Sequence, residues 1–451
     1  MPASKIRDAV TAVLTHGDEL FVTRRQPYLP AFGGHWAFPG GKVDAADSDA
    51  ALNHPLLQGH SPRLMRALAR ELHEELGYDL FAAVGNGDVL GLRDLGEATT
   101  PPFVPTRFCT RFFHIDLRRR PQLVVDTAEA AESAWLPVDD WRERLRRGRM
   151  LAAPPTRAVI EWLSGTRVDT PLPGFDMSFD ADTHIPWIEP LTGLRMLMVR
   201  SNTIPPADRT NAFWLGGDGS PRVLIDPSPA SHEELQRLYT LLDEFGLDEI
   251  FLTHHHPDHR EYADEIARRY RVPIACSADT QARIRKRSPH FFDGIEVRTR
   301  AEGDVLTRWQ DENVILHAVP GHDEGQLAPM PESRAWCIVS DLIQGIGTVV
   351  VGGPEGNMRK YFDSLQRVLD WDPAVIIPSH GGAFGGTFRI AETLKHRKLR
   401  EKQILDLHNA GRTPQEMLSE VYAGIDPRLT PLALMNIHSH LQKLKEEERL
   451  Q

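Results

Sequence analysis

One short segment near the middle of the chain is crowded with side chains that bind metal ions. The run THHHPDH spans residues 253–259 and directly follows the apolar residues 250–252. Its members of ligand type are His254, His256, Asp258 and His259. Because residues two apart on a strand point to the same side, the His-x-His pair can bind one ion, and the following turn can bring the other two side chains toward a second. Imidazoles with a few carboxylates suit Zn²⁺, although Fe and Mn also accept them.

Three later segments carry further residues of ligand type. They are Pro320-Gly321-His322, Ser340-Asp341 after the strand-like residues 337–339, and Pro378-Ser379-His380-Gly381 after the strand-like residues 375–377. Together with residues 253–259 they predict one metal centre assembled from several loops. We predict that His255 and His317 are not ligands.

A second candidate site lies on a predicted helix in the first third of the chain. Ser61-Pro62 is typical of the start of a helix, and Gly77 is typical of the residue that ends one. Leucines recur every four residues and must face a core: Leu64, Leu68, Leu72 and Leu76. Beside this stripe, Glu71, Glu74 and Glu75 crowd into an arc of about 100°. A cation such as Mg²⁺ or Mn²⁺ would compensate these like charges and could hold phosphate oxygens, whereas a solvated acidic face is the alternative.

The segments around this helix resemble the Nudix box, the signature of a family of pyrophosphohydrolases. The matching pieces are FPGG (38–41), Asp47 and RELHEELG (70–77). The spacing from Gly41 to Asp47 is kept, with Asp in place of Glu, but the 22 residues of 48–69 stand where the family pattern has seven. The resemblance implies that the three glutamates bind Mg²⁺ or Mn²⁺, that one of them can act as the base, and that Arg70 orients them.

This inserted box resembles the branch of the family that contains a coenzyme A diphosphatase. Upstream, VTRR (22–25) fits the coenzyme A signature of that branch, but Gln26 and Pro30 replace the expected small and basic residues. Coenzyme A or a derivative is therefore a predicted substrate. Glu129 and Glu132 are candidates for a further metal ligand outside the box.

The histidine-rich segments resemble the metallo-β-lactamase superfamily. Position by position, the resemblance implies two metal ions that activate water for hydrolysis. The predicted ligands of the first are His254, His256 and His322, and those of the second are Asp258, His259 and His380, with Asp341 bridging. Asp258 is also predicted to take part in catalysis, and Asp226 to support the ligand loop. Many members read PGHTxGH where this chain reads PGHDEGQ, so Gln326 stands at the second histidine.

The pattern of helices and strands predicts two α/β sandwiches in series. The predicted order is a Nudix α/β/α domain (1–165), a linker rich in Pro, Asp and Gly (166–183), a metallo-β-lactamase αββα domain (184–388) and a helical tail (389–451). Thr413-Pro414 and Thr430-Pro431 predict the starts of two tail helices. The tail resembles the winged-helix-like extension of the lactamase-β-like branch, some members of which cut single-stranded RNA.

Composition limits the range of functions. The formal net charge is −11, which disfavours sequence-independent nucleic-acid binding by the chain as a whole. Two basic clusters, residues 283–287 and 395–402, are interpreted as solvated helix faces. Three well-separated cysteines and the absence of a signal-peptide pattern predict a cytoplasmic protein without disulfides, and no membrane partner.

These observations predict a bifunctional hydrolase acting on small molecules. The first domain is expected to cleave a phosphoanhydride, and the second a thioester, ester or phosphodiester. One alternative is a single-stranded RNA endonuclease with a nucleotide-clearing Nudix domain. Another is a Nudix domain that senses a ligand and regulates the second domain.

Overall fold

The computed structural model describes residues 6–101, 107–165, 183–217 and 219–450. The chain divides into two compact units, Met1–Asp180 and Ala181–Gln451. Residues 166–182 of the predicted linker lie outside the described residues, and the predicted domain boundaries stay predictions. Within the described part, no helix combines the length and apolar character that crossing a bilayer requires.

The first unit is built on one mixed sheet with helices packed against it. Its elements are β1 (Arg7–His16), β2 (Glu19–Arg25), β3 (Trp36–Ala37), β4 (Gly40–Lys42), α1 (Pro62–Leu76), α2 (Leu80–Gly85), β5 (Val89–Thr99), β6 (Phe108–Leu117), β7 (Ala130–Pro137), α3 (Val138–Arg146) and α4 (Pro154–Ser164). The main strand order is β3-β2-β1-β6-β5, with β4 paired to β1 and β7 to β2. Apolar residues on both faces of β1 are buried, as a central strand between two layers requires.

Helix α1 has the predicted bounds and presents the predicted apolar stripe. Leu68, Leu72 and Leu76 are buried in the unit's core. Gly77 adopts a left-handed conformation, with φ of 62°, and its N–H bonds to the His73 carbonyl. Ser61 holds the N-cap position without a side-chain hydrogen bond. The face of the helix that carries the glutamates therefore lies along strand β4, which pairs with β1.

The second unit opens with a larger sheet. Its elements are β8 (Trp187–Leu191), β9 (Leu194–Arg200), β10 (Arg209–Gly217), β11 (Ser220–Ile225), α5 (His232–Phe245), β12 (Glu249–Phe251), α6 (Pro257–Arg260), α7 (Ala263–Tyr270), β13 (Ile274–Ser277), α8 (Ala278–Arg287) and β14 (Val297–Arg300). The strand order is β14-β13-β12-β11-β10-β9-β8. Since β11 and β12 are parallel, with Ile225 opposite Phe251, the residues that follow them meet at one edge of the sheet.

The remaining described elements of this unit form two smaller sheets, helix α9 and three tail helices. Their elements are β15 (Val305–Trp309), β16 (Glu312–Ala318), β17 (Leu327–Pro331), β18 (Cys337–Ser340), α9 (Met358–Trp371), β19 (Val375–Pro378), β20 (Phe384–Gly385), α10 (Phe388–Asn409), α11 (Pro414–Val421) and α12 (Thr430–Glu446). Strands β18 and β19 are parallel, with Ser340 opposite Pro378. The N–H of Asn211 on β10 donates to the Ser379 carbonyl at 2.7 Å, which joins this edge to the larger sheet.

The tail confirms one predicted helix start and corrects the other. Thr413 caps α11 in a reciprocal capping box with Glu416. Thr430 is the first residue of α12 and not its cap, because a short 3-10 helix, Pro427–Leu429, leads directly into it. The interpretation of residues 395–402 as a solvated face is also wrong in part, since Arg397 is only 3% exposed.

A buried ionic cluster ties α10 to α12. The Glu401 carboxylate accepts hydrogen bonds from Lys443 at 3.0 Å and Arg449 at 2.8 Å. His440 Nδ1 lies 3.5 Å from the same carboxylate. Burial opposes ionisation of Glu401, but the bonds from His440 and Lys443 outweigh it and lower its pKa to about 2.

We predict that Glu401→Gln destabilises the tail by about 1.5–3 kcal/mol at neutral pH, because Lys443 and Arg449 lose a charged hydrogen-bond partner, although Lys443 keeps Glu447 at 2.8 Å. The folded pKa is lowered from 4.5 to about 2, so the ionic contribution is complete above pH 4.5 and is lost as pH falls toward 2. Hydrogen exchange of α10 and α12 amides across this range measures it. The control Glu392→Gln, in an exposed pair with Lys395, should cost under about 1 kcal/mol; equal effects would contradict the prediction.

Candidate metal centres

Three histidine nitrogens converge at the first predicted metal position of the second unit. His256 Nδ1 lies 3.0 Å from both His254 Nε2 and His322 Nε2. His254 and His256 follow β12, whereas His322 follows β16. The structure thus brings together the three residues that were predicted for the first ion.

The second predicted group lies beside the first, and Asp341 stands between them. Asp258, His259 and His380 have ligand atoms within 4.8 Å of one another. Asp341 Oδ1 lies 3.6 Å from His259 Nε2 and 3.4 Å from His380 Nε2. Asp341 Oδ2 is 3.6 Å from His322 Nε2. One carboxylate oxygen therefore faces each group, which is the placement a bridging ligand needs.

Hydrogen bonds on the side of each ring that faces away from the metal positions indicate which nitrogen carries the proton. His322 Nδ1 donates to the Val350 carbonyl and His380 Nδ1 to the Arg209 carbonyl, each at 2.8 Å. His259 Nδ1 donates to Asp226 at 2.9 Å. In the neutral rings, the Nε2 atoms that face Asp341 then carry lone pairs.

Thr253 and Asp226 likewise fix the proton of His254 on its outer nitrogen. The Thr253 hydroxyl donates to Asp226 Oδ2 at 2.6 Å, so it accepts the proton of His254 Nδ1 at 3.1 Å. The Thr253 N–H also donates to Asp226 Oδ1. Asp226 is fully buried and occupied by these bonds, which supports its predicted role behind the ligands.

The donor set fits divalent cations. Within the described part of the chain, His259 Nε2, His380 Nε2 and Asp341 Oδ1 are buried and have no hydrogen-bond partner, an arrangement that is costly unless something compensates it. Burial, followed by the neighbouring histidines, lowers the pKa of His254 well below its ordinary value and that of His322 to about 4. Neutral imidazoles are the form that binds a metal ion.

The centre opens to solvent on one side. The side chains of His256 and Asp258 are 21% and 17% exposed, whereas those of His254, His259 and His380 are fully buried. A substrate must therefore approach past His256 and Asp258.

The other singled-out residues of this unit lie outside the two groups. His255 Nδ1 is 2.5 Å from Asp323 Oδ2 and its Nε2 is 3.4 Å from Glu355. His317 packs against Trp371. Gln326 is buried and donates to the Val339 carbonyl at 3.2 Å. Glu355 was not singled out from the sequence, because its loop GGPEGN carries no recognisable ligand spacing.

In the first unit, Arg70 gathers the carboxylates of the predicted box. It donates to Glu71 at 2.8 Å, to Glu74 at 3.1 Å and to Asp47 at 3.3 Å. It also donates to the Lys42 carbonyl at 2.8 Å, which fixes it to β4. The shorter Asp47 thus reaches the arginine that the resemblance predicts as the orienting residue.

Glu75 and two glycines form the other side of this site. Glu75 Oε2 accepts the Gly40 N–H at 3.0 Å. Burial raises the pKa of Glu75 to about 7, against the lowering effect of that bond. A Cβ on Gly41 would lie 2.5 Å from Glu71 Oε2. The close approach of β4 to α1 therefore requires glycine in order to leave room for the carboxylate.

Of the two further candidate ligands, Glu129 is the better placed. A small cavity is lined by Glu75, Glu129, Asp126 and Arg25. Glu132 is instead paired with Arg24 at 3.1 Å. The loop before β7 is held by Gln26, whose side chain donates to the Thr127 carbonyl at 2.7 Å.

The comparisons with known proteins match three segments of the chain. Residues 5–159 match the family model of the NUDIX domain, residues 205–380 that of the metallo-beta-lactamase superfamily, and residues 413–451 that of the beta-lactamase associated winged helix domain. The chain joins a Nudix domain to a metallo-β-lactamase domain. Proteins of both families are hydrolases that bind divalent metal ions, so this chain is a hydrolase and its acid and histidine clusters fit such ions.

Relatives of the metallo-β-lactamase domain are distant. A beta-lactamase-like protein 2 homolog of Drosophila melanogaster is 28% identical over 53% of this chain and 84% of its own length. A hydroxyacylglutathione hydrolase of Bdellovibrio bacteriovorus is 25% identical over 39% of this chain and 64% of its own length. A beta-lactamase domain protein from Burkholderia ambifaria shares the fold, with a TM-score of 0.51 at 20% identity, over 61% of this chain and 91% of that one.

For the Nudix domain, we predict that Gly41→Ala abolishes pyrophosphohydrolase activity while the domain stays folded. The added methyl group displaces the end of a flexible side chain, Glu71, and so costs little stability while it moves a predicted ligand. Activity and thermal unfolding are measured together. Gly85→Ala is the matched control, because a Cβ there meets open space; activity retained in Gly41→Ala would count against the site.

For the metallo-β-lactamase domain, we predict that Asp341→Ala loses bound metal at both positions, because each carboxylate oxygen faces one group. Affinity should fall by more than the roughly 10- to 100-fold typical of outer-shell changes. Elemental analysis after dialysis measures the loss. His317→Ala is the control, and equal metal content in the wild type and Asp341→Ala would contradict the bridging role.

Proposed function

We propose that this chain is a bifunctional hydrolase of nucleoside-diphosphate-linked acyl compounds, with coenzyme A derivatives as the leading class. The Nudix domain cleaves the phosphoanhydride, and the metallo-β-lactamase domain cleaves the thioester. The observation that supports metal-dependent hydrolysis in the second domain is Asp341, whose two oxygens each face one of the adjoining ligand groups.

In the metallo-β-lactamase domain, two divalent ions would supply an activated water and stabilise developing negative charge. The protein's part is orientation. Val350, Arg209 and Asp226 hold the outer nitrogens of three ligands. Asp258, at the open side and 3.7 Å from His380 Nε2, is placed to bind at the second position and to orient the attacking water. Water then adds to the acyl carbon, the C–S bond breaks and the thiol leaves protonated.

Similarity to hydroxyacylglutathione hydrolases favours a thioester over other bonds at this centre. The chain spans just under two thirds of that relative, so the support concerns bond type and not the whole substrate. The Drosophila relative carries no substrate in its name. Zn²⁺ is the preferred ion in our proposal, because the proposed ligands of the metallo-β-lactamase domain are mostly imidazoles. Fe or Mn are the alternatives.

In the Nudix domain, the proposed ligands of Mg²⁺ or Mn²⁺ are Glu71, Glu74 and Glu75, with Glu129 as a further candidate. These ions would hold the diphosphate oxygens. Arg70 keeps Glu71 and Glu74 in place through direct bonds. Gln26 positions the loop of Glu129, which gives a structural role to a residue that departs from the coenzyme A signature.

Single-stranded RNA cleavage is the second candidate, favoured by one observation on the tail. Lys395, Lys398 and Lys402 are exposed on α10 at spacings of three and four, so they share one face. This hypothesis predicts affinity for single strands that falls steeply with salt. Binding that is absent at low salt would remove it.

We predict that Glu74→Gln stops cleavage of coenzyme A, and that His256→Ala with Asp258→Ala stops cleavage of acyl-coenzyme A thioesters. The panel adds ADP-ribose and single-stranded RNA, with Mg²⁺ and Mn²⁺ or Zn²⁺ supplied. His73→Gln, an exposed neighbour on α1, and His317→Ala are the matched controls.

Each of the other results of this panel favours a different function or contradicts the proposal. RNA cutting that is lost only in the double variant makes the protein a nuclease. Nucleotide binding without turnover in the wild type, unchanged in Glu74→Gln, makes the Nudix domain a sensor. No turnover of coenzyme A or its thioesters overturns the proposal.

A further inference from the structure

A single loop lies behind two ligands of the first metal position. This loop, residues 349–356, lies in the second half of the connection between β18 and helix α9; we call it the bridging loop. Its Val350 carbonyl accepts the His322 Nδ1 proton at 2.8 Å. Its Glu355 Oε2 lies 3.5 Å from His256 Nε2, the nitrogen that faces away from the other ligands.

The geometry requires opposite tautomers of these two rings. His322 carries its proton on Nδ1 and offers Nε2, whereas His256 offers Nδ1 and must carry its proton on Nε2. A partner at the outer nitrogen fixes both the tautomer and the orientation of a ligating ring. Glu355 is the carboxylate in position to do this for His256, the most exposed of the three ligands.

The tail helices hold the bridging loop. Asn436 on α12 accepts the Val351 N–H through Oδ1 at 2.9 Å. Arg397 on α10 donates to the Val349 carbonyl and, at 3.4 Å, to Asn436. Arg397 and Asn436 are 3% and 5% exposed. Both residues on either side of Val350 are thus fixed by buried tail side chains.

Packing brings the loop backbone directly onto α12. A Cβ on Gly352 would lie 3.0 Å from Met435 Cβ and 3.1 Å from Ser439 Oγ. Such an approach leaves the loop little freedom to move independently of the helix.

Glu355 is itself anchored on its far side. Arg287, at the end of α8, forms an ion pair with it. His255 Nε2 lies 3.4 Å from it, and His255 Nδ1 lies 2.5 Å from Asp323. Since Asp323 follows His322 in the chain, these contacts connect Glu355 to the segment that carries a second ligand of the first metal position.

We propose that the helical tail is a positioning element of the first metal position, and that Asn436, Arg397 and Glu355 act on His322 and His256 through the bridging loop. The inference rests on the metal site of the proposed function but not on its substrates. It gives Arg397 a task distinct from nucleic-acid binding and explains why this cation is buried.

The test is Co²⁺ binding to the full-length protein, with excess Mg²⁺ present to occupy the Nudix site. Absorption in the visible region reports ligand geometry, and competition with a chromophoric chelator gives affinity. We expect Asn436→Ala and Glu355→Ala each to weaken binding at the first position by about 10- to 100-fold and to change the spectrum. Glu355→Gln keeps an acceptor oxygen for His256 and should restore most of the affinity.

A matched control separates positioning from loss of stability. Met417 is fully buried in the tail's own core, with Ile404 and Ile437, so Met417→Ala should lower the unfolding temperature while leaving the Co²⁺ spectrum unchanged. An unchanged affinity in both Asn436→Ala and Glu355→Ala, or an equal loss in Met417→Ala, would overturn the inference. If the variants behave as expected but no thioester is cleaved, the inference stands and the proposed thioesterase function fails.

Discussion

The metallo-β-lactamase domain depends on one constraint: each ligand histidine must keep its proton on the nitrogen that faces away from the centre. Imidazole has one proton in its neutral form, so a partner on the outside leaves a lone pair on the inside. Backbone carbonyls, Asp226 and the Thr253 hydroxyl provide that partner for the four rings that offer Nε2. His256 offers the other nitrogen and is faced by a carboxylate from a separate loop. The converging lone pairs and Asp341 then form a set that a cation stabilises.

The sheets explain why such a set forms where it does. Parallel β11 and β12 end in register, which places Asp226 beside the Thr253–His254 turn. Parallel β18 and β19 deliver Asp341 and His380 in the same way. Asn211 joins the two edges, because its side chain donates to the carbonyls of Pro378 and Gly381 at 2.9 and 2.7 Å. Ligands that are far apart in the chain thereby meet at the ends of strands.

Much of this could be predicted from the sequence, and the limits have physical causes. Helix α1 was predictable because its period, its caps and its acidic arc are local. The ligand histidines were recognisable by their spacing after strand-like runs, but their assignment to two metal positions came from the resemblance to the metallo-β-lactamase superfamily. Glu355 and Asn436 could not be predicted, because a single contact with a residue far away in the chain imposes no repeating pattern on the sequence. The Thr430 cap was wrong because Thr-Pro fits either a cap or a first turn, and only the preceding 3-10 helix decides between them.

The motif glycines of both domains are best explained by close approach and not by flexibility. A Cβ on Gly321, before His322, would lie 2.3 Å from the backbone of Tyr361. One on Gly381, after His380, would lie 2.8 Å from Gly345. A Cβ on Gly41 would lie 2.5 Å from Oε2 of the Glu71 carboxylate. At Gly321 and Gly381 the nearest atoms are backbone and φ is positive, at 131° and 97°, so substitution there should strain the ligand loop and the local fold together. At Gly41 the neighbour is the end of the Glu71 side chain, so substitution should move a predicted ligand before it disturbs the fold.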